Sequence, residues 1–126
     1  MKVGGDGYPE VGPTARTLGV RPGIDVPVDE TDQVKPGSGG VSVSPDSPAG
    51  LPAHRRPPGL GGTGKDPVWE FDLAELGGSL AYREDPAQPG IHGFLEPGVE
   101  MTFDRYERAL IETRLAWRSI ESHGDR

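Results

Sequence analysis

Cysteine is absent from this 126-residue chain, which excludes a disulfide framework and any thiolate metal site. That absence fits a reducing interior without requiring one, because secreted bacterial proteins also lack cysteine. Long apolar runs are missing too: no stretch approaches about 18 consecutive apolar residues, so no membrane-spanning helix is expected. The opening Met1-Lys2-Val3, followed by Gly and Asp, lacks the apolar segment of a signal peptide. Positive charge is in deficit. A formal net charge of −7 disfavours capture of nucleic acid, which draws on clustered Lys and Arg.

What is abundant is glycine and proline, and they are unevenly spread. Residues 1–67 hold 14 Gly and 11 Pro, against 6 Gly and 3 Pro in residues 68–126, so the first half reads as loop-rich and the second as regular. Residues 1–13 carry little apolar content and read as a flexible tail, a linker or the cut end of a longer protein. Residues 14–126 read as a single domain. In Leu18–Val28, Pro22 and Pro27 confine any strand to an edge or an end, so a short strand and extended chain are expected. Gly39-Gly40-Val41-Ser42-Val43-Ser44-Pro45 has the period-2 alternation of a half-buried strand, and Pro45 ends it. Val68–Leu73 reads as the clearest strand, with Trp69, Phe71 and Leu73 on one face. Leu80–Tyr82 and Ile91–Leu95 read as two more, separated by the turn residues Asp85–Gly90.

The closing segment carries a full set of helix signals. Thr102 is the expected N-cap, Asp104 favours the first turn, and Met101 and Tyr106 are spaced as a hydrophobic staple. Phe103, Tyr106, Leu110, Thr113, Trp117 and Ile120 recur at spacings of three and four, predicting one amphipathic helix from Thr102 to about Glu121, packed on a sheet.

Gly59-Leu60-Gly61-Gly62-Thr63-Gly64-Lys65 matches the glycine and lysine spacing of a phosphate-binding P-loop. Asp66 stands where a magnesium-binding Ser or Thr is required, and neither flank supplies the strand and helix such a loop needs. His54-Arg55-Arg56 is a local basic cluster, either a phosphate contact or a solvated loop. His54, His92 and His123 are too scattered for a zinc site, so no metal is expected. Ser42 and Ser44 share one strand face, and Glu96 directly follows an expected strand, where a carboxylate can reach a cleft.

The order of these pieces resembles the ADP-ribosyltransferase-like toxins, and in particular a compact family of antibacterial type VI secretion effectors. The likeness runs from Gly40 to Trp117: Gly40 and Ser42 on one strand, Val68-Trp69-Glu70 on another, a strand and turn from Leu80 to Asp85, then His92, Pro97 and Met101 leading into the final helix. It implies an α+β fold, a small split antiparallel β-sheet cleft with a C-terminal amphipathic helix. It also implies NAD as substrate and transfer of ADP-ribose to an unknown macromolecular target inside a recipient cell. By the same likeness Arg21 would contact NAD phosphate, Ser42 and Ser44 would support the nicotinamide ribose, and Glu96, with His92 as the other cleft residue, would act at the reacting bond. This sequence has Ser42-Val43-Ser44 where the wider group has Ser-Thr-Ser, and no Glu-x-Glu or Gln-x-Glu pair. A cognate immunity protein is the implied partner, no membrane partner is expected, and the location is cytoplasmic or as secretion cargo delivered to a recipient cytoplasm. Two other functions remain open: a non-enzymatic protein-interaction module, and a ribonuclease or other hydrolase toxin.

Overall fold

The structure is a computed structural model that describes residues 1–14, 16–45 and 47–120. It is a small α+β protein with several antiparallel sheets and one helix near its C-terminal end. Among the described residues, seven strands form three sheets. The main sheet has the order β2 (Val41–Val43), β5 (Gly93–Pro97), β4 (Leu80–Glu84), with β5 in the centre. Two-residue pairs complete the set: β1 (Gln33–Val34) with β6 (Met101–Thr102), and β3 (Trp69–Glu70) with β7 (Arg118–Ser119).

Helix α1 spans Phe103–Glu112 and begins as its local sequence dictates. The Thr102 hydroxyl accepts from the Arg105 N–H at 3.2 Å, satisfying one of the amide donors that a helix start leaves unpaired. Met101 and Tyr106 are both buried in one core cluster with Val20, Val26, Val34, Leu80 and Leu110.

The helix ends nine residues before the expected stop near Glu121, a residue that itself lies outside the described set. Thr113 turns its hydroxyl back onto the Leu110 carbonyl (2.6 Å) and accepts from the Trp117 indole N–H (2.9 Å). Such back-bonding competes with continuation of the helix. A single 3-10 turn, Arg114–Ala116, follows, and Trp117 is extended. Trp117 and Ile120 therefore kept the helical spacing without belonging to the helix. Trp117 is buried with Leu18 and Leu95, its ring 4.9 Å from that of Phe71.

Two strands also differ from expectation. The Val68–Leu73 strand is reduced to Trp69–Glu70, because the Asp72 carboxylate caps a 3-10 turn at Leu73–Glu75 and leaves Leu73 exposed. The strand expected at Ile91–Leu95 is shifted to Gly93–Pro97. Ile91 and His92 stay in the connecting turn, both donating to the Gln88 carbonyl at 3.1 Å.

Residues 1–13 lie against the rest of the chain. The Met1 carbonyl accepts from the Trp69 indole at 2.7 Å, and Arg114 donates to the Pro9 carbonyl and pairs with Asp6. Val3 bridges to Pro9, and Val11 to Leu18.

Candidate functional site

Strand alternation and register decide which side chains meet. In the main sheet Ser42 opposes Phe94, and Phe94 opposes Arg83, so these three form one row across a single face. Glu96, two residues along β5, lies on the same face opposite Ala81. His92, two residues before Phe94, meets that ring edge-on with centroids 4.7 Å apart. The other face carries Val41, Val43, Leu95 and Tyr82, which join the core cluster around Trp117.

The polar face is tied together by charge. The Glu96 carboxylate is 3% exposed. One oxygen accepts from the Arg83 Nε at 2.6 Å, and the other from the Gly37 N–H. A buried carboxylate needs such partners, since an unpaired charge is costly to desolvate. The Arg83 guanidinium also lies over the Phe94 ring, 4.8 Å from its centroid, so Phe94 is flanked by a cation and by the His92 imidazole. At the end of the hairpin the Asp85 carboxylate meets His92 Nδ1 at 2.8 Å. That bond, with the Ala87 N–H second, holds the Asp85 carboxyl below the usual carboxylate range. It also fixes the imidazole and leaves Nε2 as its second proton-exchanging atom, the arrangement used to orient a general base.

Of the five residues carried over by resemblance, Ser42, His92 and Glu96 share this face. Ser44 lies one residue past β2 and donates its hydroxyl proton to the Ser47 carbonyl at 2.7 Å. Arg21 is elsewhere. Its guanidinium is bound to Asp25 through two contacts of 2.8 and 3.1 Å, on a loop whose Asp25 carbonyl packs against Gly39, just ahead of β2. Burial pushes the Asp25 carboxyl up, but the Arg21 hydrogen bonds outweigh it and hold the group below its ordinary range.

Arg83, Asp85 and Phe94 are the members of the face that the sequence reading passed over. Period-2 alternation could have found them, since Ala81, Arg83 and Asp85 alternate with Leu80 and Tyr82 once the strand is extended beyond Tyr82.

Beneath the face, the Tyr106 hydroxyl donates to the Leu95 carbonyl at 2.6 Å. Burial raises the pKa of this phenol, and the nearby Glu96 and Asp25 carboxylates push it in the same direction. The contact demands glycine at position 40. A Cβ there would sit 2.2 Å from the Leu95 oxygen and 2.9 Å from the Tyr106 hydroxyl.

The glycine-rich loop is stitched to itself. The N–H groups of Gly62, Thr63 and Gly64 donate to Pro57, Ala53 and Arg56 carbonyls, and the Arg56 guanidinium binds the Leu51 and Leu60 carbonyls. These amides therefore do not form a phosphate cradle. Gly62 is required by close backbone approach, since a Cβ would lie 2.2 Å from the Arg56 oxygen.

Two open clefts lie away from the polar face. The larger, about 670 Å³, runs between the Asp72–Leu80 segment and the end of α1. The smaller, about 380 Å³, is bordered by Tyr8, Trp69, Trp117 and Arg118. None of Arg21, Ser42, Ser44, His92 or Glu96 lines either one. Among the described residues, no cluster of His, Asp and Glu is placed to hold a metal, and no helix is long and apolar enough to cross a membrane. His123 lies outside the described residues.

No protein-family model, curated protein or solved structure matches this chain.

Proposed function

We propose that the chain is an ADP-ribosyltransferase-like bacterial toxin or effector domain, with a fold of that type, binding NAD against the polar face of the main sheet and transferring ADP-ribose to an intracellular target. The supporting observation is that Ser42, His92 and Glu96, assigned by sequence resemblance alone, fall on one face beside Arg83 and the Asp85–His92 pair. In this reading Ser42 holds the ribose, and the outer nitrogens of Arg83 meet phosphate while Glu96 keeps the guanidinium in place. The bond between the ribose anomeric carbon and the nicotinamide nitrogen breaks with its electron pair leaving on nicotinamide. The acceptor nucleophile adds to the ribose carbon, and its proton passes to His92 Nε2. An immunity protein covering this face would be the natural inhibitor.

Isothermal titration with NAD, alongside nicotinamide release from the purified protein, tests the reading. Saturable binding weakened by Ser42→Ala, and release abolished by His92→Ala in a folded variant, are the expected results. Absence of both binding and release would remove the transferase assignment.

A non-enzymatic interaction module is the second reading. It is favoured by the clefts lying elsewhere and by the internal bonding of Arg21, Ser44 and Glu96. The same titration separates the two.

A further inference from the structure

We propose that the turn at residues 35–38 is a flap latched shut by Glu96, and that its opening controls access to the Glu96 end of the polar face. The starting observation is a contrast in burial. Glu96 shares its face with Ser42, which is exposed, and with Arg83 and Phe94, which are half-buried, yet it is itself 3% exposed. A carboxylate on the polar side of a sheet is hidden only where something covers it. The two groups bound to it are the Arg83 guanidinium, from the neighbouring strand, and the Gly37 N–H, which reaches it from the connection between β1 and β2. The cover that comes from outside the sheet is therefore that connection.

The connection is fixed at its ends and free in its middle. Val34 is pinned by the β1–β6 pairing, and Gly39 is wedged against the Asp25 carbonyl, where a Cβ would sit 2.3 Å from the oxygen. Between them Lys35, Pro36, Gly37 and Ser38 are all exposed. The Ser38 hydroxyl closes the turn on itself by donating to the Lys35 carbonyl at 2.5 Å. Among the described residues, the Gly37–Glu96 bond is the one hydrogen bond that joins these residues to the rest of the protein. An exposed segment with a single tie opens at a cost well below that of global unfolding. Gly37 suits the hinge, since it holds φ at 80°, which glycine adopts freely and an L-residue adopts at a penalty. One carboxylate thus holds both the flap and Arg83, the guanidinium assigned to NAD phosphate. That last consequence rests on the NAD reading, and the latch itself does not.

Gly37→Ala loosens the latch selectively, because its Cβ would meet open space while the positive φ penalises the closed turn alone. In amide exchange of the full chain, corrected for intrinsic rates, the wild-type Gly37 N–H should be protected well beyond those of Lys35 and Ser38, which donate to nothing among the described residues. Protection at position 37 should fall about 5-fold or more in Gly37→Ala, with the main-sheet amides unchanged. Carbodiimide coupling of carboxyl groups to glycinamide, read by mass spectrometry, should modify Glu96 about 5-fold faster in Gly37→Ala, with the exposed Glu30 and Glu100 as unaffected references. Ser38→Ala, which removes the turn's own closure, should shift both readouts in the same direction. Equal protection of the Gly37, Lys35 and Ser38 amides in wild type would overturn the proposal. So would one rate of Glu96 modification across wild type and both variants. NAD titration of the same proteins separates the latch from the transferase reading. Tighter apparent binding in Gly37→Ala supports a flap that gates the face. Unchanged NAD affinity alongside faster Glu96 modification would overturn the gating. No NAD binding by any of the proteins, with the exchange and labelling results as expected, would remove the NAD reading and leave the latch supported.

Discussion

Replacing Glu96 with Gln separates a structural from a reactive carboxylate. The wild-type group is almost fully buried and accepts from both the Arg83 guanidinium and the Gly37 N–H. Gln offers one acceptor oxygen in place of two and turns an NH₂ toward the second donor. A hydrogen bond to a charged group contributes about 1.5–3 kcal/mol, and breaking a fully buried ion pair costs about 3–5 kcal/mol. Arg83 is one-third exposed and regains water when its partner is lost, so the upper figure does not apply. The expected loss is about 2–3 kcal/mol, or about 10 °C in Tm for a chain of this size. Thermal and urea unfolding of Glu96→Gln, Arg83→Gln and the double variant measure it, and the pair should be less than additive. A Tm unchanged from wild type in Glu96→Gln, with loss of NAD-dependent activity, would refute a structural role and return Glu96 to the reacting centre.

Tyr106→Phe should destabilise by about 1–2 kcal/mol, because the buried Leu95 carbonyl loses its donor; chemical denaturation checks this. Gly40→Ala should cost about 1–3 kcal/mol or more through overpacking, and Gly40→Ala in a Tyr106→Phe background should recover little, since the closest obstacle is the Leu95 carbonyl. The Asp6 carboxyl is lowered from its usual 3.8 to about 2, chiefly by the Arg114 side chain and then by the Tyr8 N–H. Its contribution is therefore complete above pH 3.8 and lost as pH falls toward 2. Asp6→Asn should reproduce that loss at neutral pH, read as faster amide exchange in residues 1–13 with little change in the main sheet.

The parts of the fold legible in the sequence are those whose causes are local. Thr102 caps α1 through its own side chain, and the Val-Ser-Val alternation is enough to mark β2. Strands β1, β6 and β7 were not legible, because two residues carry no period and exist as strands only through their partners. Trp117 misled for a different reason: a 3-10 turn preserves approximate helical spacing, so a residue buried after the helix looked like a residue on it. At the site, alternation relates residues only within one strand; that Ser42, Glu96 and Arg83 share a face depends on the β2–β5 and β4–β5 registers, which the residues alone did not fix. The glycine loop at 59–65 matched a phosphate-loop spacing for a packing reason, close approach to the Ala53–Arg56 backbone, which no motif records.

The central claim is that NAD lies on the polar face of the main sheet. Mapping amide and side-chain chemical shifts during an NAD titration tests it most directly. The account predicts saturable shifts concentrated at Ser42, Arg83, His92 and Phe94, with residues of α1 largely unmoved. No shifts at saturating NAD, or shifts confined to the clefts beside Arg118, would contradict it.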